Sequence, residues 1–403
     1  PQAGVEPIVL STQESYSDHA RGLREKLYPT ALKTLHGRSR GWSYFTERFL
    51  DRNQDASDYN LLRFLSWPER LIYMPDYMVR WIPHGVRLAR EAIEREGVSA
   101  VLTSSPPEST LLIGLRLKRE LGIRWVADFR DLWTERTLLH RPATPLHDRW
   151  IRRLEERVFA EADHIVANTP ENAQRYLDRF PFLRDRVSVI PNGFDADDFI
   201  DLKKQDPSDE VFRIGHAGNL DKHGYPWRTL LDAMELLAKD VGDDKIRLEH
   251  CGFYSRRVEA YLEERGIRHL VNDHGMRSHH QAMQLAAEAS VRVVLLLESE
   301  YSTAIVPMKL YNYLAMQGPM LGIVPEGGEA AKIIERTRTG TAVSSKRGAQ
   351  AAYEALKTFY LAWKEGRTMV DPDAAEIANY DRRAQTMRLA RVLENPATSL
   401  AAA

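Results

Sequence analysis

The sequence has almost no cysteine, no long apolar run and almost no net charge. Cys251 is the single cysteine, which excludes an internal disulfide and a zinc site built from cysteines. The longest apolar run, Val293–Leu297, is far shorter than the roughly 20 residues that cross a bilayer, and no signal-peptide pattern opens the chain. The formal net charge of -1 gives no overall attraction to nucleic acid or to membranes. These absences predict a cytoplasmic protein in which any anion binding is local.

What the sequence does have is a regular alternation of short β-branched runs with amphipathic stretches of helical length. This alternation is typical of parallel sheets with crossover helices, and 403 residues are enough for two or three domains. The first half predicts strands at Glu6–Ser11, Ala100–Ser104, Arg124–Phe129, His164–Asn168 and Val187–Ile190, and helices at Val79–Arg95, Glu108–Leu121, Leu146–Ala162 and Pro170–Phe180. Together they predict one doubly wound domain that ends near Asp198.

Residues 201–210 lack periodicity, which is typical of a linker, and the pattern then restarts. The second half predicts strands at Phe212–His216, Arg247–His250, Leu270–Asn272, Val291–Leu297, Met320–Val324 and Ala342–Ser344. Two such halves predict two doubly wound α/β domains that face each other across a cleft, with ligands at the carboxyl ends of the strands. We expect the final helices, Gln350–Glu365 and Ala374–Leu393, to bridge back between the halves.

The stretch from Val306 to Pro325 predicts an anion-binding helix. A helix is expected over Met308–Gln317, and Lys309, Asn312 and Met316 share one face of it at spacings of three and four. The first N–H groups of a helix are unpaired and lie at the positive end of its dipole, so a lysine in the first turn favours a phosphate there. The alternative is that Lys309 is a solvated surface cation.

Three segments together resemble a known family. They are Asp163-His-Ile-Val-Ala-Asn-Thr-Pro-Glu-Asn-Ala, Ser188-Val-Ile-Pro-Asn-Gly-Phe-Asp195 and Lys309-Leu-Tyr-Asn-Tyr-Leu-Ala315. In this order and spacing, they make the chain similar to glycosyltransferases of the GT-B fold, in particular the retaining enzymes of family 4. The segments Ser104–Thr110 and Trp125–Trp133 resemble a bacterial subgroup that builds surface polysaccharides.

The resemblance implies a transferase that moves a hexose from a UDP- or GDP-linked donor to a hydroxyl of a glycan or lipid-linked glycan, with retention and without cofactor or metal. It implies an acceptor-side domain at residues 1–200, a nucleotide-sugar-binding domain at 201–375 and a C-terminal helix at 376–403 that packs back on the first domain. The family's opening strand and Gly-rich loop are missing before Val5, and the chain begins with Pro1, so we expect this unit to be absent or trimmed.

The resemblance also suggests donor-binding residues in the second half. The turn Gly215–Gly224 supplies Gly218, Asn219 and Lys222, and Arg228 follows it in the next helix. With Lys309, these are the candidate diphosphate contacts; plain strand-to-helix turns also need glycine. A second turn with Gly327 and Gly328 either faces the diphosphate or only caps a helix.

The family's pair of glutamates falls on Ala304 and Asn312, so neither carboxylate is present. Asn312 can still hydrogen-bond a ribose, more weakly than a carboxylate. Glu298 and Glu300 lie just upstream and are candidates to replace the first carboxylate.

In the first half, the candidate catalytic residues are Asp128, Arg130 and Asp131, at the end of the strand Arg124–Phe129. A carboxylate there can take the acceptor's proton or stabilise positive charge on the donor sugar. The alternative is an Asp131 helix cap with Arg130 paired to Asp128. Ser105 and Ser109, in a strand-to-helix turn, are acceptor-side candidates because of unpaired N–H groups; capping alone explains them equally well.

Residues 38–81 are basic and aromatic, a composition that suits either contact with anionic lipid at the inner face of the membrane or a helical insertion on the sheet edge. Nucleic acid is not an expected partner, and His140, His147, His279 and His280 show no metal-ligand spacing. Two rival functions stay open: a nucleotide-sugar epimerase of the same fold, and a non-catalytic nucleotide-sugar-binding subunit.

Overall fold

In a computed structural model of the chain, the residues described are 6–9, 73–76, 78–135, 144–203, 210–367 and 369–394. They divide into two compact units. The first contains the residues up to Ile190 and those from Thr386 onward, and the second is the continuous segment Pro191–Gln385. Each unit is built on a parallel sheet, so the predicted α/β class is confirmed.

The first unit has four described parallel strands in the order β1-β2-β3-β4. They are β1 Ala100–Ser105, β2 Arg124–Phe129, β3 His164–Ala167 and β4 Val187–Val189. The helices between and before them are α1 Ile82–Glu96, α2 Ser109–Leu121, α3 Pro145–Glu161 and α4 Pro170–Arg179. The described part of the predicted strand at Glu6–Ser11, residues 6–9, forms no strand, and its Ile8 and Val9 side chains are exposed instead of pairing with a described neighbour.

Local chemistry sets the ends of these helices. Gly97 and Gly122 follow α1 and α2 in the left-handed conformation, each with φ of 65°, which glycine adopts without steric cost. Thr144 and Thr169 precede α3 and α4, and each hydroxyl accepts an N–H from the first turn. A proline follows each threonine at the first helical position, where its missing N–H costs no hydrogen bond.

The second unit has a six-stranded parallel sheet. Its strands are β5 Phe212–Ala217, β6 Ile246–Cys251, β7 Val271–Asp273, β8 Val291–Leu295, β9 Met320–Ile323 and β10 Gly340–Val343. Its helices are α5 Trp227–Val241, α6 Arg256–Glu264, α7 His279–Ala287, α8 Met308–Ala315, α9 Glu329–Arg336, α10 Gly348–Lys364 and α11 Ala374–Ala378.

The strand order of this sheet is β10-β9-β8-β5-β6-β7. The chain therefore builds outward from β5 in one direction and from β8 in the other, which makes the sheet doubly wound. The order reverses between β5 and β8, where Ile214 pairs with Val291. Ligands of open α/β sheets bind at the carboxyl ends of the strands at such a reversal.

The predicted helix Ala374–Leu393 is two helices, α11 and α12 Arg382–Glu394. The interruption has a tertiary cause: the Phe194 N–H donates to Tyr380 O (3.0 Å) and the Arg382 N–H donates to Phe194 O (2.9 Å). Phe194 is also buried in the second unit's core. The first unit therefore ends at Ile190, before the boundary predicted at residue 200.

The last turns of α12 return to the first unit. Leu389, Val392 and Leu393 pack on Val126 and Val166 of its sheet. None of the described helices is both long and apolar enough to cross a membrane. Most of the basic and aromatic segment 38–81 lies outside the described residues.

Candidate active site

The carboxyl end of β5, beside the strand-order reversal, is formed by closely packed backbone. The Gly218 N–H donates to Cys251 O at the end of β6 (2.7 Å), and the Gly252 N–H donates to Gly275 O (3.0 Å). A Cβ added to Gly252 would lie 2.2 Å from the carbonyl oxygen of Gly218. Gly218 itself has φ of 110° and is exposed. Glycine thus leaves this edge open to a ligand that approaches the backbone.

Lys309 lies over this edge, in the first turn of α8. A Cβ on Gly218 would lie 3.2 Å from the Lys309 Nζ. The helix is fixed to the strand by Tyr313, whose fully buried hydroxyl accepts the N–H of Ala217 (3.1 Å). The structure therefore brings together Lys309 and Gly218, two of the predicted donor-binding residues.

The ammonium of Lys309 has no acidic partner in the described part of the chain. Its nearest polar contact is the neutral acceptor Nε2 of His216, at 3.0 Å. Burial, and then repulsion from Lys222, lower the pKa of Lys309 to about 7. A partly buried cation without a counter-ion favours binding of an anion, which would supply the missing charge.

Two buried histidines behind Lys309 were not predicted as site residues. Nδ1 of His216 lies 3.2 Å from Nδ1 of His250, and both side chains are almost completely buried. Burial lowers the pKa of both rings, that of His250 to about 4, so both are neutral near pH 7. The two residues are direct neighbours in the register of β5 and β6. Each of these histidines ends a predicted strand of the second half, and this shared position was the sequence signal that could have identified them as site residues.

Other predicted donor residues lie in the turn after β5 and in the turn before α9. Lys222 is close enough to lower the pKa of Lys309, and Asn219 follows Gly218 directly. Gly327 and Gly328 precede α9, where a Cβ on Gly328 would lie 3.2 Å from Thr303. That turn therefore packs on the segment that ends in buried Ala304.

Two further polar residues of this region differ in their contacts. Asn312 is partly exposed on α8, one turn after Lys309. The carboxylate of Glu298, a candidate replacement for the missing glutamate, accepts the Ser344 hydroxyl at 2.8 Å.

Arg228 is exposed in the first turn of α5. Its guanidinium lies over the Trp227 ring at 4.3 Å and over the Tyr261 ring at 5.4 Å, measured to the centroids. These rings belong to the interface of α5 and α6, and no described contact joins Arg228 to Lys309 or Gly218. The aromatic contacts explain Arg228 without a phosphate.

In the first unit, Asp128 and Arg130 form an ion pair at the end of β2. The Asp128 Oδ2 accepts from the Arg130 Nε and from the Ser104 hydroxyl, each at 2.8 Å. Asp128 is 3% exposed, and its Oδ1 has no hydrogen-bond partner in the described structure. The alternative expectation that Arg130 pairs with Asp128 is confirmed. The Oδ1 atom is therefore a buried acceptor without a described donor.

The remaining candidates of the first unit are Ser105, Ser109 and Asp131. Ser109 is fully buried, and its N–H and hydroxyl both donate to Asp76, at 2.7 and 2.8 Å. Its N–H is therefore not the free donor that the sequence predicted, because Asp76 caps the helix. Pro106 and Pro107 precede α2. Ser105 is buried at the end of β1, and no described helix begins at Asp131.

Comparison with known proteins adds to this geometry. The model of Glycosyltransferase Family 4 matches residues 43–198. No protein among curated sequences matches the chain significantly.

Solved structures match across both units. Sucrose-phosphate synthase from Thermosynechococcus elongatus aligns with a TM-score of 0.57 and 16% identity, over 79% of this chain and 78% of that one. The lipopolysaccharide outer core galactosyltransferase WaaB aligns with 0.53 and 13% identity, over 78% and 80%. A UDP-forming α,α-trehalose-phosphate synthase from Burkholderia xenovorans aligns with 0.53 and 16% identity, over 81% of each chain.

The structural likeness shows the GT-B fold, and the family match in the first unit adds the enzyme class. The chain is a glycosyltransferase of the GT-B fold, similar to family 4.

Proposed function

We propose that this enzyme transfers a hexose from a UDP- or GDP-linked donor to a hydroxyl of a glycan or lipid-linked glycan, with retention of configuration and without a metal. The observation that supports it best is the Lys309 ammonium beside the open backbone of Gly218, without an acidic partner in the described structure. The neighbour from Burkholderia xenovorans is named as UDP-forming, and WaaB as a lipopolysaccharide galactosyltransferase, which fits this pair of substrates.

In this proposal, Lys309 stabilises the negative charge that develops on the departing diphosphate. A cation that stabilises this charge more strongly in the transition state than in the ground state lowers the barrier. The exposed Gly218 allows the diphosphate to approach the main chain. Lys222 contributes further positive charge nearby.

Asp128 is assigned to the acceptor. In this proposal, substrate binding uncovers the buried Oδ1, which then accepts a hydrogen bond from the attacking hydroxyl, while Arg130 and Ser104 hold Oδ2. The carboxylate orients the nucleophile and favours loss of its proton.

The proposal is tested by thermal unfolding with UDP, GDP and ADP, followed by product analysis with the best donor sugar. A ligand at 100 times its dissociation constant adds about 2.7 kcal/mol to the free energy of unfolding. We expect Lys309→Ala to lose most of this shift, and Lys364→Ala, a change at an exposed lysine of the same unit, to keep it. An unchanged shift in Lys309→Ala would disprove the site. Sugar release or epimerisation without an acceptor would disprove the transfer.

A further inference from the structure

We propose that His216 and His250 form a neutral hydrogen-bonded relay that positions the Lys309 ammonium for a diphosphate without cancelling its charge, and that diphosphate binding is coupled to proton uptake at Lys309. The inference rests on the proposed function, since it concerns the same cation. It adds two positioning residues to the site.

The first support is the geometry of the two rings. Their planes differ by 14° and their centroids are 5.3 Å apart, whereas the two Nδ1 atoms are only 3.2 Å apart. Rings related in this way lie edge to edge and nearly coplanar, as an N–H···N hydrogen bond requires. The contact is therefore a directional link and not a face-to-face stack.

The second support is the proton arrangement that Lys309 imposes. An ammonium can only donate, so Nε2 of His216 must be an acceptor. A neutral imidazole then has its proton on Nδ1, which donates to Nδ1 of His250. His250 must in turn have its proton on Nε2. That atom is buried and has no partner in the described structure. The relay therefore ends in a buried donor without a described acceptor, which costs free energy.

The third support is the contrast with a carboxylate partner. Asp or Glu at the position of His216 would orient the lysine but would neutralise it, and the site would lose its attraction for phosphate. A neutral imidazole orients the lysine without pairing with its charge. Burial keeps His216 neutral. The neighbouring Lys309 and His250 lower the pKa of His216 further.

The charged groups around the relay raise and lower the pKa values of its members. Lys222 repels Lys309, and Lys309 and His274 disfavour a charge on His250. Asp273 and Asp221 favour that charge, but burial outweighs them and His250 has a pKa of about 4. The group that titrates near neutral pH is therefore Lys309, with a pKa of about 7. A bound diphosphate adds negative charge beside it and raises this pKa, so a proton moves from the buffer to Nζ.

Calorimetry of UDP, GDP and ADP binding at pH 8, in two buffers of different ionisation enthalpy, measures this uptake. With a free pKa of about 7, we expect uptake of about 0.9 proton per diphosphate in the wild type. His216→Phe removes the acceptor, so we expect at least tenfold weaker binding. His250→Leu should weaken binding in the same direction. His250→Asn offers an oxygen acceptor to His216 and should restore most of the affinity.

Side-chain ¹⁵N spectra of the histidines test the relay without a variant. We expect the proton of His216 on Nδ1 and that of His250 on Nε2 below pH 7. The opposite tautomers would overturn the relay, as would wild-type affinity and proton uptake in both His216→Phe and His250→Leu. If Lys309→Ala also binds normally, the diphosphate site itself is wrong; if only Lys309→Ala fails, the site stands and the relay is rejected.

Discussion

The hydroxyl of Tyr313 accepts a hydrogen bond from the backbone N–H of Ala217 at 3.1 Å. This bond joins the middle of α8 to the last residue of β5. Lys309 lies one turn before Tyr313 and Gly218 directly follows Ala217, so the bond fixes the cation relative to the exposed backbone. Burial raises the pKa of Tyr313 to about 12, so the phenol stays neutral.

Tyr313→Phe should therefore destabilise the protein by about 1–3 kcal/mol, because a buried N–H loses its acceptor. Urea denaturation measures the change. Tyr353→Phe is the matched control, since that hydroxyl donates to Asp240 at the surface, and we expect a change within about 0.5 kcal/mol. Equal losses of unfolding free energy in Tyr313→Phe and Tyr353→Phe would show that the buried hydrogen bond stabilises the protein no more than the surface one.

Diphosphate affinity should fall as pH rises above 7. The ligand binds best to protonated Lys309, whose pKa in the free protein is about 7 and is higher in the complex. Binding is thus strongest below pH 7, and between pH 7 and 9 the affinity should fall by up to about 50-fold.

Lys309→Arg is the control for this pH dependence, because arginine stays charged throughout this range. Its diphosphate affinity, measured by calorimetry or thermal shift, should be nearly independent of pH between 7 and 9. A wild-type affinity that does not change over the same range would contradict the assignment of Lys309.

Arg228→Ala should change diphosphate affinity by less than about threefold, since the guanidinium lies over Trp227 and Tyr261. We expect a loss of about 0.5–1 kcal/mol in the free energy of unfolding, the usual size of an exposed cation–π contact. Titration with the best diphosphate and urea denaturation measure the two effects. A tenfold loss of affinity at unchanged stability would return Arg228 to the binding site.

Asp128→Asn should lower turnover by about 10²–10⁴-fold, the usual contribution of a positioned base. Donor affinity should not change, because the donor-binding candidates lie in the second unit. Initial rates and calorimetry separate the two effects. Asp148→Asn, at a surface aspartate paired with Arg152 on α3, is the control and should keep full turnover. Wild-type turnover in Asp128→Asn would remove this residue from the mechanism.

Local patterns were sufficient to predict most strands and helices. The strand Arg124–Phe129 has the predicted bounds because its apolar run is buried on both faces of a parallel sheet. The position of Lys309 was also predictable, since it depends only on helical spacing and on the strand order of such sheets. Features of the site that come from one short segment were therefore visible in the sequence.

Contacts between distant segments were not predictable in the same way. Asp76 caps Ser109 from 33 residues away, which nothing near the serine indicates. The break between α11 and α12 depends on pairing with Phe194, although the helical pattern continues through it. Arg228 was assigned by position in a motif, whereas its aromatic neighbour Tyr261 lies on another helix.

The chain leaves the first unit at Ile190 and re-enters it at Thr386, where Leu389, Val392 and Leu393 cover Val126 and Val166. During synthesis, this apolar patch on the first sheet therefore stays uncovered until the ribosome has made the whole of the second unit. The second unit is continuous, so its chain is complete before the last segment of the first unit is made. A chain that stops before Thr386 would leave the apolar side chains of Val126 and Val166 uncovered.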